Sequence, residues 1–241
     1  MTDDLGALMM TNTLPCRPTR DKPLMGLTLL AVEDSRFASE ALRLLCRHSG
    51  IRLRRADCLA AAYRHLGVYR PGAVLVDMGL PDGSGIDLVR DLARARPRVP
   101  VLLATSGDVT LQGPAMAAGA DGFLAKPVAS LAAFQAAILE QLPDITSGPR
   151  SIPVEPLAPD PLALRDDFSR ALAALEAPGG QASLDYVAQF LASLGQSAED
   201  LVLRDAARTI SRDRALGRGA GRETLHLAGM LRERLNRYTA I

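Results

Sequence analysis

The sequence predicts a doubly wound α/β domain, built on a five-stranded parallel sheet, followed by a smaller all-α domain. Three observations support this prediction. Five short apolar runs alternate with segments of helical spacing over residues 27–142, residues 143–160 are rich in proline, and residues 161–241 show helical spacing without a strand pattern. Strands that alternate with helices of about 10–15 residues are typical of βαβ units and a parallel sheet.

The predicted strands are short runs rich in Val and Leu, which fit a sheet that is covered on both faces. They lie at residues 27–32, 51–55, 73–76, 99–104 and 122–125. Between them, apolar residues recur at the spacing of an amphipathic helix, as Phe37, Leu42 and Leu45 do after the first strand.

Two further segments are expected to lack regular structure. Residues 1–26 show no sustained period and are predicted to be a flexible leader. Six of the 16 prolines fall within residues 143–161. Because proline fixes φ and lacks an amide hydrogen, residues 143–160 are predicted to be a semi-rigid linker.

The second domain is predicted to be a small bundle of three or four helices. The expected helices lie at residues 161–177, 183–194, 198–213 and 222–239. Glycine and proline separate them, and Gly195 is expected to end the second helix.

Composition and charge exclude several classes of protein. Hydrophobic residues make up 48% of the chain and charged residues 23%, which excludes a wholly disordered protein. No apolar run reaches the roughly 18 residues that span a bilayer, and no signal-peptide pattern is present, so a cytoplasmic protein is expected. The net charge of +1 gives no global field for nucleic acid, and the three cysteines suit neither a disulfide framework nor a metal knuckle.

Polar residues follow four of the predicted strands. Glu33 and Asp34 follow the first strand, Asp77 the third, Thr105 the fourth and Lys126 the fifth. Because ligands bind at the carboxyl ends of the strands in a parallel α/β sheet, these side chains are expected to converge. Only two of the 28 basic residues are lysines, so a compact ammonium at position 126 indicates a geometric demand there.

This set of side chains suits phosphoryl transfer to a carboxylate. Clustered carboxylates repel one another unless they share a divalent cation, and hard oxygen ligands suit Mg²⁺. The cation would neutralise the charge of an incoming phosphoryl group, and Lys126 would pair with another of its oxygens. Asp77 is the predicted nucleophile, which would form an acyl phosphate, and the Thr105 hydroxyl would bond the new phosphoryl oxygen.

Several motifs occur together in order in this domain. They are Glu33-Asp34, Asp77-x-x-Leu80-Pro81-x-x-x-Gly85, Thr105, and Ala118-Gly119-Ala120-Asp121-Gly122-Phe123-x-x-Lys126-Pro127. With them, residues 27–142 resemble the receiver domain of bacterial two-component response regulators. The resemblance implies a flavodoxin-like fold with strand order 2-1-3-4-5, and phosphorylation of Asp77 by a histidine kinase or a histidine phosphotransfer protein. It implies a signalling switch that catalyses only its own phosphorylation and dephosphorylation.

The resemblance also implies roles for particular residues. The Mg²⁺ ligands would be Asp34, Asp77, the backbone carbonyl of Gly79 and, more indirectly, Glu33. Thr105 and Phe123 would form the conformational switch, which reshapes the surface of the fourth helix, fifth strand and fifth helix. The linker is expected to hold the helical domain near that surface. Glycine at position 79 departs from the family, where a side chain is usual, but the carbonyl ligand remains.

Two other interpretations of these residues are weaker. Glu33 and Asp34 would serve only to begin the next helix, for which Asp34 or Ser35 is a suitable cap. A phosphatase of the haloacid-dehalogenase type would need a second aspartate two residues after Asp77, where this chain has Gly79.

The second domain has an uneven charge and no recognised family. Residues 160–200 carry two basic and seven acidic residues, whereas residues 201–241 carry nine basic and four acidic ones. The two halves are expected to pack within one bundle or across a homodimer. The last helix has a predicted apolar stripe, which consists of Leu225, Ala228, Leu231, Leu235 and Tyr238.

Three functions are considered for this domain. Protein–protein contacts are the first choice, because the charge is divided rather than uniformly basic. The second is a DNA-binding helix-turn-helix, in which Arg222, Thr224, His226 and Arg232 would face the DNA. The third is a phosphotransfer bundle with an exposed His226, although the residues after that histidine do not match such a motif.

Overall fold

The computed structural model describes residues 18–19, 21–128, 130–142, 160–177 and 181–239. Most of the predicted leader and all but the last residue of the predicted linker lie outside the described residues. The end of the predicted leader packs against the sheet domain: Leu24 is fully buried, and its amide donates to the Ser49 carbonyl at 3.0 Å. This apolar side chain belongs to the core of the sheet domain.

The α/β domain contains seven strands and five α-helices among the described residues. In chain order these elements are β1 (Thr28–Val32), α1 (Arg36–Ser49), β2 (Arg52–Ala56), α2 (Leu59–Val68), β3 (Ala73–Asp77), β4 (Gly79–Leu80), β5 (Gly83–Ser84), α3 (Gly85–Arg94), β6 (Val101–Ser106), α4 (Gln112–Ala118), β7 (Gly122–Ala125) and α5 (Leu131–Leu139). A 3₁₀ turn over Val109–Leu111 precedes α4.

The main sheet is parallel, with the strand order β2-β1-β3-β6-β7, and β4 and β5 form a separate antiparallel hairpin. Counting only the strands of the main sheet, the order is 2-1-3-4-5, which confirms the predicted flavodoxin-like topology. The strand at 99–104 is shifted, since β6 runs from Val101 to Ser106 and includes Thr105. The edge strand β2 exposes its arginines and is not an apolar run.

Two apolar layers cover the two faces of this sheet. Leu30, Val74 and Leu102 point to the layer made with α2, α3 and α4, whereas Leu29 and Leu75 point to the layer made with α1 and α5. The alternation follows from the period of two along a strand. The fold therefore leaves the carboxyl edge of the sheet free of core packing, and there the polar residues gather.

Four helices form the second domain: α6 (Pro161–Glu176), α7 (Gln181–Ser197), α8 (Leu201–Ala215) and α9 (Gly221–Thr239). They enclose an apolar core of their own, to which Phe37 of α1 also belongs. Among the described residues, no helix is both long and apolar enough to cross a membrane.

The structure corrects two details of the predicted helices, the end of α7 and the exposure of Leu225. Helix α7 does not end at Gly195 but continues to Ser197. Glycine at this position instead allows α8 to approach closely, since a Cβ there would lie 2.8 Å from the Arg204 amide nitrogen. In α9, Leu225 is 74% exposed, whereas Leu227, Met230 and Leu231 are buried. Of the predicted stripe, Ala228 and Leu231 are buried and Leu235 packs against the core of this domain, so the buried face of α9 follows the prediction except at Leu225. The side chain of Tyr238 lies outside the described residues.

The helical domain packs on α1 and on the β4–β5 hairpin, through α6 and α7. The sequence analysis placed it near the surface of α4, β7 and α5. The observed position instead puts the helical domain across the carboxyl edge of the sheet.

Candidate functional site

The carboxyl edge of the sheet brings the predicted site residues together. The strand register pairs Asp77, the last residue of β3, with Thr105 of β6, and pairs Val32 with Val76. Glu33 and Asp34 directly follow Val32, and Lys126 directly follows β7. Each side chain is thus fixed by the end of a buried strand.

Three carboxylates form a buried acidic cluster at this edge. Glu33, Asp34 and Asp77 are each only 3–4% exposed. One carboxylate oxygen from each lies within 4.8 Å of the others, which is close enough for all three to contact one metal ion. A buried set of hard oxygen ligands fits Mg²⁺.

Lys126 is the cation that the cluster holds. Its Nζ lies 2.8 Å from Asp77 Oδ2 and 2.7 Å from Glu33 Oε2, and the residue is 7% exposed. Burial alone would lower the pKa of Lys126, but the charges of Asp77 and Glu33 outweigh burial and raise it. The ammonium therefore stays charged at neutral pH.

Burial and mutual repulsion raise the pKa values of two of the carboxyls. The pKa of Glu33 rises to about 8, first through burial and then through the charges of Asp77 and Asp34, although Lys126 opposes the shift. The pKa of Asp34 rises to about 6 through burial and the charge of Asp77, against a hydrogen bond from Tyr186. The single Lys126 ammonium thus does not offset the burial and mutual repulsion of the three carboxylates.

The predicted switch residues lie beside the cluster. The Thr105 hydroxyl donates to the Leu124 carbonyl at 2.7 Å and is buried. Phe123 is half-buried and packs against the core layer that includes Ala104. The threonine hydroxyl would have to leave its β7 partner to bond a group on Asp77.

Two positions of the predicted motif, 85 and 79, are occupied by glycine for different structural reasons. A Cβ at Gly85 would lie 2.0 Å from the Asp77 carbonyl oxygen, so glycine is needed for α3 to begin beside the end of β3. At Gly79 a Cβ would lie 2.7 Å from Gln189 Nε2 of the helical domain. The absence of a side chain at position 79 therefore makes room for α7.

Helix α7 lies along the acidic cluster with one face. Tyr186, Gln189 and Ser193 are three and four residues apart and so share that face. The Tyr186 hydroxyl donates to Asp34 Oδ2, and Ser193 Oγ accepts from Lys126 Nζ at 3.2 Å. The helical domain thereby becomes part of the site.

Helix α6 holds the beginning of α1. The fully buried Asp167 accepts hydrogen bonds from Ser35 Oγ at 2.8 Å and from the amides of Arg36 and Phe37 at 3.1 Å. Arg170 pairs with Asp167 and donates to the Asp34 carbonyl at 3.0 Å. A carboxylate at a helix N-terminus bonds free amides and interacts favourably with the helix dipole.

A cavity of about 500 Å³ lies between the two domains at this edge. Its lining includes the three carboxylates, Gly79, Gln189 and Ser193. Arg208 of α8 also lines it and donates to the Gly107 carbonyl at 3.0 Å. The acidic cluster thus faces a space that residues of both domains line.

The structure does not bring the predicted output residues to this cavity. Arg222 and His226 are exposed on α9, and Arg232 of the same helix pairs with Glu176 of α6 at 2.6 Å. The sequence analysis did not identify Asp167, Tyr186, Gln189 or Ser193 as site residues, because they act from another domain.

The fold and the buried acidic cluster define an α/β domain of the flavodoxin-like class. Its residues 29–138 match the family model of the response regulator receiver domain, and this part of the chain belongs to that family.

Curated relatives are similar over about two fifths of the chain. The KDP operon transcriptional regulatory protein KdpE of Escherichia coli (strain K12) is 35% identical over 100 residues, which are 41% of this chain and 44% of that protein. The probable transcriptional regulatory protein TcrX of Mycobacterium tuberculosis is 34% identical over 105 residues, 42% of this chain and 43% of that protein. The chain therefore spans less than half the length of these relatives.

Solved structures are similar over a comparable share of the chain. A putative response regulator from Chloroflexus aurantiacus J-10-fl is 28% identical with a TM-score of 0.44, and covers 47% of this chain and 98% of that chain. The receiver domain of the sensor histidine kinase PA1611 from Pseudomonas aeruginosa PAO1, described with a magnesium ion in its active site cleft, is 24% identical with a TM-score of 0.44. It covers 48% of this chain and 97% of that chain.

Proposed function

We propose that this chain is a two-component response regulator that accepts a phosphoryl group on Asp77 from a histidine kinase or a histidine phosphotransfer protein. The observation that carries the proposal is the buried Asp77 carboxylate with Lys126 Nζ at 2.8 Å and two further carboxylates beside it. Response regulators are signalling proteins rather than classical enzymes. Self-catalysed phosphorylation and dephosphorylation and a cytoplasmic location are part of the proposal.

The acidic cluster would hold Mg²⁺. Asp34, Asp77, Glu33 and the Gly79 carbonyl would be the ligands, and the cation would neutralise charge on the phosphoryl oxygens. Their close, buried oxygens and the raised pKa values of Glu33 and Asp34 support this assignment.

The chain's own residues would then carry the transfer. An Asp77 carboxylate oxygen forms the new bond to phosphorus while the bond from phosphorus to the donor imidazole nitrogen breaks, and the imidazole leaves. Lys126 pairs with a phosphoryl oxygen. The Thr105 hydroxyl exchanges its Leu124 partner for the acyl phosphate, and Phe123 turns into the space it leaves.

Incubation with acetyl phosphate and Mg²⁺ tests the proposal. Intact-mass spectrometry should show one phosphoryl adduct on the wild type and none on Asp77→Asn. The matched control is Asp87→Asn, since Asp87 is an exposed aspartate that pairs with Arg90 on α3. An unmodified wild type with several small phosphodonors would contradict the proposal.

The helical domain is proposed to act through protein–protein contacts. Its acidic and basic halves pair with one another across helices, as Arg214 does with Asp185 and Arg234 with Asp200. These internal ion pairs use part of the positive charge that DNA binding would require.

DNA binding is the second candidate, because the curated relatives KdpE and TcrX are named transcriptional regulatory proteins. Their alignments cover about 100 residues of this chain. Exposed Arg222 and His226 on α9 would face the DNA. Salt-sensitive, sequence-specific DNA binding that is lost in Arg222→Ala and Arg232→Ala would favour this function over protein contacts.

A further inference from the structure

Protein groups already contact an oxygen of each carboxylate in the acidic cluster, by hydrogen bond at Asp77 and Asp34 and by ion pair at Glu33. Lys126 Nζ contacts Glu33 Oε2 at 2.7 Å and Asp77 Oδ2 at 2.8 Å, and the Tyr186 hydroxyl donates to Asp34 Oδ2. In this arrangement the lysine and the tyrosine together stabilise the three carboxylates.

Helix α7 also fixes the lysine. A lysine ammonium has three N–H donors. Lys126 Nζ donates to Asp77 Oδ2 at 2.8 Å and to the Ser193 hydroxyl at 3.2 Å, and it forms an ion pair with Glu33 Oε2 at 2.7 Å. The same helix therefore bonds Asp34 through Tyr186 and keeps Lys126 between the other two carboxylates through Ser193.

We propose that Tyr186 and a divalent cation compete for Asp34, so that cation binding at the acidic cluster opposes docking of α7 on this edge. The proposal rests on the proposed function, because it assumes that the cluster takes up Mg²⁺. Mg²⁺ demands a nearly octahedral arrangement of oxygens. The competition arises if the cation takes Oδ2 of Asp34, the oxygen that accepts from the Tyr186 hydroxyl. Because the coupling between two binding events is reciprocal, the cation weakens docking by the same factor by which docking weakens cation binding.

The contacts around Asp34 extend this coupling to the whole helical domain. Arg170 holds the Asp34 carbonyl, and Asp167 holds the amides of Arg36 and Phe37. Both α6 and α7 therefore touch Asp34 or the residues just after it. A change at Asp34 reaches the helical domain directly, without the Thr105 and Phe123 route.

Calorimetric titration of the full chain with Mg²⁺ tests the competition. We expect Tyr186→Phe to bind Mg²⁺ roughly tenfold more tightly than the wild type, which is the effect of losing one hydrogen bond to a charged group. The matched control is Tyr63→Phe, which removes a hydroxyl that donates to the Asp91 carboxylate at 2.6 Å on the exposed α2–α3 surface. Its Mg²⁺ affinity should equal that of the wild type.

The outcomes separate this inference from the proposed function. Equal or weaker Mg²⁺ binding by Tyr186→Phe would overturn the competition and leave the cation site intact. If neither protein binds Mg²⁺, the competition and the proposed function both fail.

Amide hydrogen exchange gives a second readout. Mg²⁺ should speed exchange at the Arg36 and Phe37 amides of the wild type, because their acceptor Asp167 belongs to the helical domain. In Asp34→Asn the same Mg²⁺ concentration should leave both rates unchanged. Unchanged rates in the wild type at saturating Mg²⁺ would overturn the coupling.

Discussion

Lys126 shows how closely one residue is specified by its surroundings. Its side chain is 4% exposed and lies between Glu33 and Asp77, with Ser193 as its third partner. A compact ammonium satisfies three acceptors in this space, whereas a guanidinium is planar and needs five. The rarity of lysine in the chain already indicated such a demand, and the contacts supply its physical reason.

Replacing this lysine by arginine tests the geometric demand. We expect Lys126→Arg to lower the rate of phosphorylation by acetyl phosphate about 10²-fold, as the loss of a group that stabilises transition-state charge does. Overpacking of the buried site should also cost about 1–3 kcal/mol of unfolding free energy. The control is Lys22→Arg at the exposed other lysine of the chain. Equal phosphorylation rates in the two variants would contradict the expectation.

Only part of the candidate site could be predicted from the sequence. The convergence of Asp34, Asp77 and Lys126 could be predicted because each lies at or just after the end of a recognisable strand, and parallel strands end at one edge. Tyr186 lies 152 positions after Asp34, and Asp167 lies 132 positions after Ser35. Contacts over such separations leave no local periodicity or spacing, so the sequence gives no signal for them.

Helix boundaries show a related limit at the scale of elements. Apolar periodicity placed all four helices of the second domain, but glycine has two meanings in a sequence. It ends helices, and it also allows two helices to approach closely. Gly195 has the second role and allows close approach, because the backbone at the start of α8 lies where its side chain would be.

Alanine at this glycine should therefore destabilise the bundle. Alanine is a better helix former than glycine by about 1 kcal/mol, yet the Cβ of Gly195→Ala would meet the Arg204 amide nitrogen at 2.8 Å and the Asp200 carbonyl at 3.0 Å. We expect a net loss of about 1–3 kcal/mol in the free energy of unfolding. Gly229→Ala on α9 meets open space and should gain up to about 1 kcal/mol. Urea unfolding followed by circular dichroism measures both, and stabilisation by Gly195→Ala would refute the close approach.

At the scale of the whole molecule, the two domains share one site. The helical domain covers the carboxyl edge of the receiver domain, with α6 on the start of α1 and α7 beside the acidic cluster. Glycines at positions 79 and 107 make this approach easier, since a Cβ at either one would crowd α7. The order of the domains along the chain could be predicted from the sequence. The docking of the two domains could not, because it depends on side chains that are far apart in sequence.

Asp167 is the residue on which this docking depends most. It is fully buried, and its carboxylate accepts hydrogen bonds from the Ser35 hydroxyl, from the first two amides of α1 and from Arg170. We expect Asp167→Asn to weaken docking by about 1–3 kcal/mol, because an amide loses the charge that these donors stabilise. Calorimetry should then show the helical domain unfolding at a lower temperature than the receiver domain. The matched control is the neighbouring Asp166→Asn, whose exposed ion pair with Arg36 is worth at most about 1 kcal/mol. Identical calorimetric profiles for the two variants would show that α6 does not hold the domains together through Asp167.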